Sequence, residues 1–305
     1  MRIGYLDQAD WLLFVARERR LFEREGLATE FRRFEAGPPM VDAAQNNEVD
    51  LVSIGAGGFL IGLSRGLDWT MIGINPEGAY SQGLVAKRNG PIVRPGDLKG
   101  RKIGLSRGGT AEIGLLMILR QHGIRVNQTN LIDLTPPEQV KALADGRIDA
   151  AMVWEPWMQR MVHDANGHIV ETEGNLGIYT NVDCYSVRRG WLAANRDLAL
   201  RFLRALVAAA DLVARDPTIA QRIWARDMGI RLAWAEAIYD NVPPPLIREW
   251  TNPRYTYSLV KNGALYQRLG FLANYMQEIN MISQPVDLEG SMDSSLIAEI
   301  LRGRR

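Results

Sequence analysis

The sequence predicts an α/β protein of two lobes, each built on a mainly parallel sheet, joined by two crossing segments. Three observations carry that prediction. First, "AAQNNEVDLVSIG" at residues 43–55 is echoed by "ALADGRIDAAMVWEPW" at residues 142–157. Each stretch runs from a small-residue helix end through a polar turn to Val49-Asp50 or Ile148-Asp149, then into an apolar run. Second, "RIGYL" (Arg2 to Leu6) and "KIGLS" (Lys102 to Ser106) are each followed by a helical stretch with basic residues near its end and a closing glycine, Gly26 or Gly123. Third, two extended segments, Tyr80 to Arg88 and Thr180 to Arg189, leave the two copies flanked by turn residues.

Each copy therefore reads strand, helix, strand, helix, strand. Strands alternating with helices at this spacing require right-handed crossovers and parallel pairing. After the second copy the chain turns helical. Leu198, Phe202, Ala205, Leu206, Ala209 and Val213 share one helical face, with Asn195 as the expected N-cap. Two further helices follow, the second stopped by Pro243 to Pro245, and then one carrying Leu265, Leu269, Leu272, Met276 and Ile279. If the extended segments cross between lobes, residues 1–84 open the first lobe, 85–185 form the second and 186–305 complete the first.

A chain of 305 residues with 47% hydrophobic and 23% charged residues is long enough for two such lobes and has an ordinary globular composition. Its net charge of +1 supplies no field to recruit nucleic acid. The single cysteine, Cys184, rules out an intramolecular disulfide, and His122, His163 and His168 lack zinc-ligand spacing, so neither metal nor cofactor is expected. The last two histidines fall in a turn-rich connection, where a surface loop explains them. No run approaches the roughly 18 apolar residues of a membrane span. The chain begins in a strand, "MRIGYL", which fits a periplasmic or extracellular protein after leader removal, or a cytoplasmic one.

Four motifs, "LFEREGL", "GDLKGRKIGLSRGGT", "ALADGRIDAAMVWEPW" and "RDLALRFLRALVAAADL", occur in order at fitting distances, within a resemblance that covers residues 1–290. In them the chain resembles the substrate-binding proteins of ABC importers for nitrate, aliphatic sulfonates, taurine and the thiamine pyrimidine. The resemblance implies the two-lobed type II periplasmic-binding-protein fold and a monomer that closes around one small molecule for a permease. An enzyme on the same fold, desulfinase-like or thiamine-pyrimidine-synthase-like, is the alternative. Against it, the chain lacks a cysteine-rich run, and its one cysteine lies in the second crossing.

Ligand should bind where the strand ends of both lobes face each other. "SRGGTAE" joins a strand to a helix start, where Ser106, Gly108, Gly109 and Thr110 offer hydroxyls and close-approaching N–H groups. Its counterpart "DQADW" supplies Asp10, a ligand contact or a helix cap, and Trp11, which either stacks on a flat ligand or staples its helix to the core. "SIGAGG" contributes Ser53, Gly55 and Ala56, and "VWEPW" contributes Trp154 and Glu155. Tyr80 and Ser81 on the first crossing, with Asp183 and Cys184 on the second, complete the set; about half of these four should face the ligand, because strand side chains alternate. Asp10, Glu112, Glu155 and Asp183 are acidic, and Arg107 is the one cation in these loops. That balance points away from a bare anion such as nitrate or sulfate and toward a small organic ligand, neutral or bearing an amine or heterocyclic nitrogen, or sulfonate-like, held by Trp11, Tyr80 or Trp154.

Overall fold

A computed structural model describes residues 1–78, 80–178, 180 and 182–303, with the backbone alone at 76 and 77. Asn181, inside the second expected crossing, and residues 304–305 of the expected last segment lie outside the described residues.

The first copy of the repeat runs β1 (Arg2–Leu6), α1 (Trp11–Glu18), α2 (Leu21–Arg24), β2 (Glu30–Phe34), α3 (Gly37–Gln45), β3 (Leu51–Gly55), α4 (Ala56–Ser64) and β4 (Trp69–Glu77). After the crossing come β5 (Gln82–Lys87), β6 (Lys102–Leu105), α5 (Thr110–Gln121), β7 (Asn130–Asp133), α6 (Pro136–Ala144), β8 (Ala150–Trp154), α7 (Trp157–Asp164) and β9 (Gly167–Thr172). The chain returns through β10 (Val182–Arg188) and α8 (Arg189–Ala194), then adds α9 (Arg196–Arg215), α10 (Thr218–Met228), α11 (Leu232–Asn241), α12 (Ala264–Glu278) and α13 (Ser295–Arg302).

The two sheets have the orders β2-β1-β3-β10-β4 and β7-β6-β8-β5-β9. In each, three strands of the repeat pair in parallel and the crossing strand joins antiparallel. Both sheets are thus mixed: a strand arriving from the other lobe runs against the repeat's strands. The boundaries expected at 84/85 and 185/186 fall inside β5 and β10, so the sheet changes a few residues earlier, between 77 and 82 and between 172 and 182.

The repeated aspartate has one structural job in both lobes. Asp50 Oδ2 accepts the backbone N–H of Arg2 at 2.8 Å, and Asp149 Oδ2 accepts that of Lys102 at 2.8 Å. Each carboxylate starts a parallel pairing that the backbone continues from the same residue, Asp50 N to Arg2 O and Asp149 N to Lys102 O. Gly26 and Gly123 both have φ +67°, the left-handed geometry of the expected helix stops.

Two local expectations fail. The single helix anticipated up to Gly26 divides after α1, because Arg20 adopts a left-handed conformation at φ 55°. Asn195 precedes α9 but gives it no side-chain cap; its amide donates backward to Trp191 O at 2.9 Å. The larger core belongs to the first lobe, where Trp11, Phe22, Phe202 and Trp224 are fully buried between sheet and C-terminal helices.

Candidate functional site

Strand pairing builds the cleft. Register places Asp183 beside Gly55 in the first sheet and Gln82 beside Trp154 in the second, at the ends where β3 and β8 stop. Between these edges lies a cavity of about 40 Å³. Since a cavity needs roughly 10–15 Å³ on this measure to hold one water, it has room for about three. Its walls are the end of β1 (Leu6, Gln8, Ala9), the starts of α3, α4 and α5, the end of β8 and both crossings.

Of the residues expected from sequence, Gly55, Ser81, Ser106, Gly109, Thr110, Trp154, Glu155 and Asp183 line this cavity. The others do not. Trp11 is wholly buried in the core: its indole Nε1 donates to Val242 O at 2.7 Å, and its ring meets Trp224 and Tyr239. Tyr80 is exposed, its ring lying against Gly174. Ala56 is buried in the first turn of α4. Gly108, with φ +69°, approaches Pro38 at the rim, and its N–H donates to Glu112 Oε2 at 2.8 Å. On the crossings, Ser81 and Asp183 face the cavity while Tyr80 and Cys184 do not.

Asp10 and Ser53 stand one layer behind the wall. Asp10 caps α1 by accepting Leu13 N at 3.2 Å, as the capping reading expects, and also accepts the Ser53 hydroxyl at 2.7 Å and the Tyr185 hydroxyl. Ser53 Oγ in turn accepts Gln8 Nε2 at 3.1 Å, fixing a wall residue. Gln8, and Gly37 with Pro38 at the start of α3, were missed from sequence. "EAGPPM" carried the signal for the latter pair, a helix with proline in its first turn directly after a strand.

The cavity's charged walls are acidic. Burial pushes the Glu155 carboxyl up to about 7, against donation from Gln159 N at 3.2 Å and Gln159 Nε2 at 3.3 Å. Burial also lifts Asp183 well above the carboxylate range, and the nearby Asp10 charge adds to it. Asp10 itself rises to about 7 through burial, opposed by its hydroxyl and backbone donors. Arg107, the cation expected here, is paired to Glu112 at 3.0 Å outside the cavity lining. The Glu155-Pro156 peptide is cis, and Pro156 stands just before α7.

The lobes also touch around the cavity. Trp154 Nε1 donates to Asp7 O at 2.8 Å, and Gly57 N donates to Thr110 Oγ1 at 3.4 Å. Elsewhere between the lobes Arg120 pairs with Glu278 at 2.9 Å, and Arg160 Nη2 donates to Met228 O at 2.5 Å. His163 lies in the last turn of α7 and stacks on Trp234 of α11 at 4.2 Å, so it is a contact between lobes and no loop residue. Trp154→Phe removes one interlobe hydrogen bond and keeps an aromatic wall. A single bond of this kind contributes about 1 kcal/mol, so solute affinity in a calorimetric titration should fall by about fivefold with unchanged far-UV dichroism.

Cys184 is poorly placed for nucleophilic chemistry. It is buried off the cavity, its Sγ 3.4 Å from Ile54 O, and burial pushes the thiol up to about 12. Among the described residues no group of three or more His, Cys, Asp or Glu is placed to hold a metal ion. No described helix is long and apolar enough to cross a membrane.

The architecture recurs in solved proteins. The alkanesulfonate-binding protein SsuA from Xanthomonas axonopodis pv. citri, solved with MOPS bound, superposes with a TM-score of 0.81 over 94% of this chain and 95% of that one, at 22% identity. The desulfurization enzyme DSZB superposes with a TM-score of 0.73 over 100% and 99%, at 16% identity, so the fold alone does not separate binding from catalysis. In sequence, a putative aliphatic sulfonates-binding protein of Escherichia coli (strain K12) is 24% identical over 295 residues, 95% of this chain and 90% of that protein. The fold is the type II periplasmic-binding-protein fold, and, with residues 1–226 matching its family model, the chain belongs to the NMT1-like family.

Proposed function

We propose that this chain is the solute-binding component of an ABC import system, a monomer that closes two lobes around a small organic molecule and presents the closed form to a permease. One observation carries the reading: a small cavity walled by strand ends and helix starts of both lobes, with Cys184 outside its lining. Closure by hinge motion at the crossings buries the solute and completes interlobe bonds such as Trp154 to Asp7. The E. coli relative, named as a binding protein, supports the same reading, and the taurine-binding periplasmic protein of that organism supports a periplasmic location. The enzyme alternative needs a reactive group at the cavity, a role that Cys184 is badly placed to fill.

The test is a thermal-shift screen of small organic solutes with mass analysis after incubation. A solute at a hundred times its Kd adds about 2.7 kcal/mol, which for a chain of this size raises Tm by roughly 4 °C. Such a shift with the solute recovered unchanged is expected. Conversion of the solute would replace this reading with the enzymatic one.

A further inference from the structure

The polar side chains of the cavity wall are unequal in what they leave for a ligand. The Ser81 hydroxyl donates to Gly78 O at 2.6 Å and the Ser106 hydroxyl to Leu134 O at 3.0 Å. The amide nitrogens of Gln8 and Gln82 donate to Ser53 Oγ at 3.1 Å and Glu173 Oε1 at 2.6 Å, so each spends one N–H within the protein. Glu155 and Asp183 add carboxyl oxygens from opposite lobes, 5% and 6% exposed. Among the described lining residues there is no Lys, Arg or His, and nearby arginines are engaged elsewhere: Arg33 with Asp7, Arg107 with Glu112, Arg160 with Met228 O. The side chains of the described wall are rich in carboxyl acceptors and carry no cation, a set matched by a ligand with N–H donors, while the starts of α3, α4 and α5 offer backbone N–H groups to an acceptor on the same ligand.

The cavity is small enough that a solute of a few heavy atoms reaches both carboxyl groups. Resting on the solute-binding reading, we propose that the ligand presents a protonated nitrogen, an ammonium or amidinium group, to Glu155 and Asp183, and that a nitrogen-free sulfonate is not the solute this chain selects. The raised affinity of both carboxyls for protons fits a site waiting for a cation. A bound cation ionises them and releases protons, so its affinity climbs with pH by up to about tenfold per unit for each proton released. A nitrogen-free anion shows the opposite slope, because protonation removes its repulsion.

The experiment is calorimetric titration at pH 6 and pH 8 with matched pairs: ethanesulfonate and 2-aminoethanesulfonate, propionate and β-alanine, propanol and propylamine, acetamide and acetamidine. Wild type, Glu155→Gln and Asp183→Asn are compared after dichroism confirms that each is folded. The expected outcome is that at least one nitrogen cation binds at least about tenfold tighter than its partner, gains affinity from pH 6 to pH 8, and loses about tenfold or more in either carboxamide variant. Tighter binding of nitrogen-free anions with the reverse slope overturns the inference, and so does cation binding retained in both variants or absent from the whole panel. Compaction by a nitrogen-free solute, seen in small-angle scattering, would keep the solute-binding reading while removing this ligand class.

Discussion

Gly57→Val is expected to give a folded protein whose lobes no longer close and whose solute affinity is weakened about a hundredfold. A Cβ at Gly57 would stand 2.9 Å from Thr110 N, 3.0 Å from the Gly109 carbonyl carbon and 3.0 Å from Ile113 Cδ1, all on or beside α5 of the other lobe. Two of those neighbours are backbone and cannot rotate away, so the clash is relieved by parting the lobes. Forced overpacking of this kind costs about 1–3 kcal/mol, charged here to the closed state. Small-angle scattering should show a radius of gyration that stays at its open value when solute is added. A valine variant that compacts normally and keeps wild-type affinity would show that α4 and α5 do not meet in the bound state.

The second large effect is a stability curve that runs against the usual carboxylate pattern. Glu155 titrates near the ordinary value of 4.5 when unfolded and at about 7 when folded, and Asp10 moves from 3.8 to about 7. Between those values the folded protein holds protons that the unfolded chain has released, so stability is full below about pH 4 to 4.5 for these groups and is lost as pH rises through 7. Shifts of this size correspond to roughly 3–4 kcal/mol for each group. Urea denaturation of the ligand-free protein should therefore give a higher midpoint at pH 5 than at pH 8. Glu155→Gln, which keeps shape and removes the charge, should raise the midpoint at pH 8 and flatten the slope. A midpoint that climbs from pH 5 to pH 8, unaffected by the variant, would mean that these carboxyls are hydrated and ordinary.

The repeat was legible because one interaction fixes it: an aspartate opposite the first residue of a parallel partner leaves the same two-letter signature in both lobes. The glycine-rich starts of α4 and α5 were legible for a similar reason, since close approach between helix ends demands the absence of a side chain. Trp11 was ambiguous in the sequence because its surroundings, Trp224, Tyr239 and Val242, arrive more than two hundred residues later. Tyr80 and Ser81 could not be told apart without the turn that aims them. Gln8 passed unnoticed beside two more conspicuous neighbours, although its hydrogen bond to Ser53 is what makes it part of the wall. The acidic balance of the loops did survive folding, because Arg107 spends its charge on Glu112.

The strand order carries a consequence for how the chain is made. Residues 82–172 contain all five strands of the second sheet in one unbroken stretch. The first sheet is different, because β10 lies between β3 and β4. In a chain that emerges N-terminus first, β3 and β4 appear early and remain unjoined until residues 182–188 follow, so the N-terminal lobe has open edges while residues 82–172 already hold a whole sheet. The lobe synthesised second is the one completed first, and any factor that shields nascent strands has its work at β3 and β4.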